Sequence, residues 1–482
     1  MSKVSRLAAL ALCLALCACA YPTRNQPLAS SDPTYGYRWN ALGADDMPET
    51  LVIVSASGGG TRAALLALST LKGMNQIALP NHKSLADEVD IISSVSGGSV
   101  TAGYFAAQGP AKFDTLEQFL RQDGMSALAW QYFNPVGLVK LATPHTERID
   151  PLIDRFDQYL FSGATFESLK GRRPFLILNA SDMVEGVPFA LTQGNFDLIC
   201  SDLSKFKLAT GVAASAAFPI AMSPVTLTNY SSCPAQKGLD LAWPGLGAGS
   251  NWYDNSEAVA HGRVAKAYLD GRSAPHPKDY IHLLDGGITD NLGIAEPYRM
   301  LTTTEVTPSL LNEIGNGHIK RIVYVVVNAR SAAKSGLDQQ QATPGVFDML
   351  MGTVDAGIDR SSLGSFERLK ALLQSELEAA ADDADDAKAP ELAARYRFVS
   401  AHTHFATVDF DAISDSDCRD NFHSIATSWT LPQRQIDALL QVGQALLVQD
   451  PAFQQAVTDL DGKPSGAIPT VAQACTALRL AE

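Results

Sequence analysis

Two stretches near the start of the chain constrain its fold more than anything else in it. Val52-Ile-Val-Ser-Ala-Ser-Gly-Gly-Gly-Thr-Arg62 and Ile91-Ile-Ser-Ser-Val-Ser-Gly-Gly-Ser99 each run from an apolar segment of strand length, through small residues, into a helix-like segment. Together they read as one βαβ unit of a parallel sheet. The first turn brings the backbone N–H groups of Gly58, Gly59 and Gly60 to the positive end of a helix, where they can face an oxyanion. The second puts Ser96 at the tip of a sharp turn, with Gly97 and Gly98 behind it so that the backbone can fold tightly. Nucleophile and donors then lie side by side at the carboxyl ends of adjacent parallel strands, where open α/β sheets hold their sites.

Neither stretch is decisive alone. A Gly-rich turn also serves as a phosphate cradle or as plain tight packing, and small-x-Ser-x-Gly arises by chance. A third stretch, His282-Leu-Leu-Asp-Gly-Gly-Ile-Thr-Asp-Asn291, ends a short apolar run in a carboxylate, Asp285, with two glycines that free the backbone to turn away. Among the serines of the elbow, Ser94 follows the bulky Ile92 by two residues and Ser99 precedes Thr101 by two. Only Ser96 has small residues at both spacings.

The order of Gly-rich loop, serine elbow and Asp-Gly-Gly resembles the patatin-like phospholipases, and Ala214-Ser-Ala-Ala-Phe-Pro219 resembles that family's block between nucleophile and aspartate. The resemblance spans Val52 to Asn291 and leaves both ends of the chain uncovered. It implies a three-layer α/β sandwich with a mainly parallel central sheet flanked by helices. It also implies a Ser–Asp dyad of Ser96 and Asp285, an oxyanion hole at Gly58, Gly59 and Gly60, and no cofactor or metal. Arg62 matches the family's loop arginine, which would brace the turn or attract a phosphate; a solvated helix residue is the alternative. Two positions depart from the family pattern: Ser57 stands where the loop usually has Asp, and Ser94 where the elbow usually has Gly. Asp290 is the rival carboxylate, read as a cap of the next turn with Asn291. His282 falls on the opposite strand face from Asp285 and reads as structural.

The formal charge of −14 and pI near 5.1 argue against attraction to nucleic acid or anionic headgroups. A membrane contact would need an anchor. Lys3 and Arg6 precede an apolar run too short to span a bilayer, and Leu16-Cys-Ala-Cys19 resembles a bacterial lipobox with Cys19 as the lipidated residue. Loss of Lys3 and Arg6 with this segment would take the charge from −14 to −16. An ordinary signal peptide cut near Ala20 is the alternative. Ala20, not Asp, follows the cysteine, which by resemblance favours the outer membrane over inner-membrane retention; the expected location is an outer-membrane lipoprotein facing the periplasm. Four cysteines then remain, and the pairs nearest in sequence are Cys200–Cys233 and Cys418–Cys475.

The expected layout is a signal segment at 1–19, a flexible tether at 20–46, a catalytic core at 47–330 with an insertion about 236–278, and a mostly helical part at 331–482 packed on the core. Trp243, Trp252 and Tyr253 in the insertion would overhang the site and touch lipid. Val346–Glu378 reads as helix, with Met349, Leu350, Met351 and Leu363 among its apolar residues. Ala379–Ala389 reads as a solvated acidic helix face or loop, and Tyr396–Ser400 and Phe405–Phe410 as late strands. The expected function is a serine lipid acyl hydrolase acting on phospholipids or other acyl-ester lipids. Its rivals are a non-catalytic lipid-binding outer-membrane protein on the same fold and a phosphate binder using Gly58–Gly60. The last lacks the Lys-Ser/Thr of a P-loop and the spaced glycines of a dinucleotide fold.

Overall fold

The computed structural model describes residues 23–29, 34–39, 47–134, 146–219, 221–230, 264–269, 278–302, 310–331 and 365–479. Its central sheet has eight strands: β1 (Thr50–Ala56), β2 (Ile91–Val95), β3 (Phe175–Asp182), β4 (Val187–Ala190), β5 (Val225–Thr228), β6 (Tyr280–Asp285), β7 (Arg321–Asn328) and β8 (Thr403–Asp409). The order across the sheet is β5-β6-β3-β2-β1-β7-β8, with β4 paired to β3. From β3 to β8 every neighbouring pair is parallel. β4 and β6 run antiparallel to β3, and β5 runs antiparallel to β6.

The strand sequences explain this division. Leu51–Ala56, Ile91–Val95 and Ile322–Val327 are buried throughout. Continuous apolar runs of this kind belong to parallel strands covered on both faces. β6 instead alternates, with Ile281, Leu283 and Asp285 buried and the residues between them more open, the pattern of an antiparallel strand with one wetter face.

The helices that matter for the site are α1 (Gly60–Asn75), α2 (Gly97–Gln108), α3 (Phe113–Leu120), α4 (Gly124–Phe133), α5 (Asp150–Phe156), α6 (Leu208–Ser215), α7 (Ala295–Thr302), α8 (Ser365–Asp386), α9 (Pro390–Ala401), α10 (Ser416–His423), α11 (Gln433–Gln449) and α12 (Val471–Arg479). Helix α1 is buried on almost every side, because α2 and α11 both pack on it. Small residues let α11 come close: Ser69 Oγ donates to the Leu440 carbonyl at 2.7 Å, and a Cβ on Gly443 would lie 2.7 Å from Ser69 Cβ.

Several expectations are corrected. The stretch 20–46 is not simply a tether. Where described it belongs to the fold: Leu28, Tyr37 and Trp39 are buried, Tyr37 stacks on Phe175, and the Leu176 N–H donates to Tyr37 Oη at 2.6 Å. Arg24 is ion-paired with Glu147 and Asp150. Tyr396–Ser400 is the end of helix α9, not a strand, because the chain buries Ala393, Tyr396 and Val399, a spacing of three, behind a Pro at the first turn. The part after 331 is mostly helical where described, and the expected late strand near Phe405–Phe410 is β8, at the edge of the sheet. The acidic run continues α8 with Ala381 and Ala384 inward and its aspartates in water. Met349, Leu350, Met351 and Leu363, together with Trp243, Trp252, Tyr253 and Cys19, lie outside the described residues. A disulfide joins Cys418 on α10 to Cys475 on α12. Cys200 is buried, and its expected partner Cys233 lies outside the described residues. No helix among the described residues is long and apolar enough to cross a membrane.

Candidate active site

Three strand ends meet at one point. β1 and β2, adjacent and parallel, end in the Gly-rich loop and in Ser96. β6 arrives from the opposite direction and pairs with β3 only over three residues, ending with Ala180 opposite Asp285. Beyond Asp285 the chain has to leave the sheet while β3 continues beside it. A Cβ on Gly286 would lie 2.2 Å from the Asn179 carbonyl oxygen, so only glycine can turn there.

Ser96 occupies φ 50°, ψ −118°, a region that a side chain rarely adopts and that persists only where the surroundings impose it. Its Oγ donates to Asp285 Oδ2 at 2.7 Å. The Gly287 N–H donates to Asp285 Oδ1 at 2.9 Å. Asp285 is buried, and desolvation pushes its carboxyl up to about 6; the hydrogen bonds from Ser96 and Gly287 act against that shift. No histidine among the described residues bonds to Ser96 or Asp285. His282 Nδ1 instead lies 2.9 Å from Thr226 Oγ1 on the neighbouring strand β5. Asp290 accepts the Ala295 N–H at 2.9 Å, at the start of α7, which is a capping role.

A group of serines holds the elbow. The Ser96 N–H donates to Ser215 Oγ at 3.0 Å, and Ser215 Oγ donates to the Asn179 carbonyl at 2.6 Å. Ser99 Oγ lies 2.8 Å from Ser215 Oγ and 3.1 Å from Ser94 Oγ. Ser94, the departure from the usual elbow glycine, thus has a hydrogen-bonded place. The segment around Ser215 also fixes the carboxylate strand, because the Asp285 and Gly286 N–H groups donate to the Ala217 and Ser215 carbonyls at 3.0 and 3.1 Å. Ser215 and Asn179 carried no role in the sequence reading. The signal was present for Ser215, inside the block 214–219, but not for Asn179.

The Gly-rich loop departs from expectation at one residue. The Gly58 N–H donates to the Asn291 carbonyl at 3.1 Å, so in this structure it is not available as an oxyanion donor. What the chain needs at Gly58 is space: a Cβ there would lie 2.6 Å from Asn291 Oδ1 and 3.3 Å from Ser96 Cβ. Gly59 and Gly60 follow with φ of 137° and 60°. They stand at the start of α1, where a helix leaves N–H groups without intrahelical partners. Ser57, in place of the usual Asp, accepts the Ala329 N–H on its Oγ at 2.8 Å and ties the loop to the end of β7. Elbow and loop press directly on each other: a Cβ on Gly97 would lie 1.9 Å from the Gly60 carbonyl oxygen.

Arg62 is not a solvated helix residue. It is 2% exposed. Its Nε donates to the Ala329 carbonyl at 2.9 Å, its Nη1 to the Ile425 carbonyl and its Nη2 to Thr427 Oγ1 at 3.2 Å. It braces the turn. Next to Thr61 is a small cavity walled by Phe119, Leu120, Leu152, Phe156 and Trp429, with Gln122 and Arg155 also in its lining.

The profile of the family described as patatin-like phospholipase matches residues 54–298, just over half of the 482. Among solved structures, the human GIVD cytosolic phospholipase A2 is similar at 14% identity, covering 64% of this chain and 52% of that one, with a TM-score of 0.33. The chain therefore spans about half the length of that structure. The ExoU–SpcU complex from the type III secretion system of Pseudomonas aeruginosa is similar at 15% identity over 90% of each chain, with a TM-score of 0.17. No curated protein sequence matches. The mostly parallel sheet flanked by helices, with the motifs at its strand ends inside the matched segment, is the architecture expected of that family. The chain belongs to the patatin-like phospholipases.

Proposed function

We propose that the chain is a serine lipid acyl hydrolase, of phospholipase A or lysophospholipase type, working through a Ser96–Asp285 dyad. The observation that carries this reading is the 2.7 Å hydrogen bond from a strained, buried serine to a buried carboxylate. Ser96 Oγ attacks the ester carbonyl carbon as its proton passes to Asp285 Oδ2. The carbonyl oxygen becomes an oxyanion facing the N–H groups of Gly59 and Gly60. As the tetrahedral adduct collapses, the C–O bond to the alcohol breaks and the leaving oxygen takes the proton from Asp285. Water then attacks the acyl-serine, giving its proton to Asp285, and the second collapse returns that proton to Ser96 Oγ. An aspartate is a weak base, and burial, which raises its affinity for a proton, makes it a better one. By the same reading the chain is attached to the outer membrane, on its periplasmic side, by lipid on Cys19. Cys19→Ser should release it or leave an unprocessed precursor, and a mature-sized, membrane-bound Cys19→Ser protein would disprove the anchor.

The test of the activity is mass spectrometry of products from defined phospholipids, with fluorophosphonate labelling of the same protein. Wild type should release fatty acid and take the label on Ser96, and Ser96→Ala should do neither. Product release that survives Ser96→Ala would sink the assignment.

A further inference from the structure

We propose that residues 425–428, in the connection from α10 to α11, are a working part of the catalytic site: Thr427 and Ser428 are positioning residues that hold the oxyanion loop in place. The inference rests on the hydrolase reading above. All four residues lie well beyond position 298, where the family match ends.

The contacts converge on three successive residues of the loop. The Thr61 N–H donates to the Ser428 carbonyl at 2.8 Å. That contact occupies the donor following Gly60 and leaves the Gly59 and Gly60 donors to face the oxyanion. The Gly60 backbone is so close to the same residue that a Cβ on it would lie 2.6 Å from the Ser428 carbonyl oxygen and 3.1 Å from its nitrogen. Behind Gly59, where a Cβ would lie 2.9 Å from Arg62 Nη2, the guanidinium spreads its donors over Ala329, Ile425 and Thr427. The fork thereby ties α1, the end of β7 and residues 425–427 together. With Gly97 against the Gly60 carbonyl on the other side, the loop is gripped between elbow and strap.

The strap is itself anchored at both ends. His423 lies with Nε2 2.8 Å from Asp411 Oδ1 and Nδ1 3.2 Å from the Arg330 carbonyl, and its own carbonyl accepts from Ser331 Oγ at 3.1 Å. Trp429 packs edge-on against Phe156, and Thr430 Oγ1 donates to Asp123 Oδ1 at 2.5 Å. The oxyanion loop therefore takes its position from a segment that enters the fold only after the sheet is complete.

Thr427 is exposed, which separates positioning from folding: an exposed Thr→Val change alone moves stability little. Thr427→Val removes one acceptor from Arg62 at constant shape. It should lower kcat on a soluble p-nitrophenyl ester about 10-fold, because small displacements of catalytic groups cost rate steeply. KM should stay within about twofold, the thermal midpoint should hold, and fluorophosphonate labelling of Ser96 should slow in parallel. Thr427→Ser, which keeps the hydroxyl, should restore the rate. Arg62→Lys, which cannot serve three acceptors, should cost about 10²-fold. Wild-type kcat and labelling rate in Thr427→Val would overturn the proposal. A wild-type protein that neither hydrolyses the ester nor takes the label would instead overturn the hydrolase reading itself.

Discussion

The serine elbow and the oxyanion loop are the same kind of object, a glycine turn between a buried parallel strand and a helix, but they are held in different ways. The elbow is held from nearby in space and partly in sequence, by Ser94, Ser99 and Ser215 against the Asn179 carbonyl. The loop is held from far along the chain, by Arg62 reaching acceptors 267 and 363 positions away. The strained turn is held by a compact hydroxyl cradle drawn from residues 94–99 and Ser215. The glycines bring no side chains of their own, so the loop is held through its neighbours Ser57 and Arg62.

The largest expected effect tests what the two turns share. Ser96→Ala and Asp285→Ala should each cost about 10⁴-fold or more in kcat, with the double mutant little worse than either, as for residues acting as one unit. Losses that multiply would show that the serine and the carboxylate work separately. Gly97→Ala comes next, since its Cβ would drive into the Gly60 carbonyl and displace the loop from the elbow side. A loss of about 10²–10³-fold is expected, the scale of removing an oxyanion donor. A fully active variant would mean that elbow and loop are not in contact in the working enzyme. Ser215→Ala removes the acceptor of the Ser96 N–H together with the links to Ser99 Oγ and the Asn179 carbonyl, and about a tenfold loss of kcat should follow. An unchanged kcat in Ser215→Ala would show that the hydroxyl cradle does not set the elbow.

The smallest effect is pH-dependent. Asp285 must be ionised to take the proton from Ser96, so kcat/KM should rise with pH, reach half its maximum near pH 6 and level off above it. Its influence on stability has the opposite sign. Its folded value lies above the ordinary carboxylate value of about 3.9, so the native state holds the proton more tightly than the unfolded chain does. The contribution of this group to stability is therefore full below about pH 4 and is lost as pH rises through about 6. Asp285→Asn should flatten that part of the stability profile, measured by denaturant midpoints between pH 4 and 7. A slope unchanged in the variant would remove Asp285 as its source.

What could be read in advance divides along the same line. Ser96, Asp285 and the parallel core strands were legible because each compresses its requirement into a few consecutive residues: an apolar run, a small residue, a glycine. Gly58 was misassigned as a donor because the group that occupies its N–H, the Asn291 carbonyl, lies in a different motif. Arg62 left two readings open because burial comes from residues 425–427, which have no pattern of their own. Tyr396–Ser400 looked like a strand for its aromatic and β-branched content, and the burial spacing within α9 overrode that preference. The strap was invisible, since backbone carbonyls such as those of Ile425 and Ser428 leave no trace in side-chain identity.

If lipid on Cys19 anchors the chain as proposed, the ion pairs of Arg24 with Glu147 and Asp150 would set its geometry at the membrane. A leash running from residue 20 to 46 would let the domain roam about 90 Å from an anchor point. With the chain docked at Arg24, a lipid on Cys19 would have only four residues between it and that point. That is about 18 Å at full stretch from Cys19 to Arg24. An enzyme so moored could not tumble freely over the bilayer. The face around Arg24, Glu147 and Asp150 would stay turned toward the lipid, and the surface concentration of substrate, not diffusion from solution, would govern how often an ester reaches Ser96.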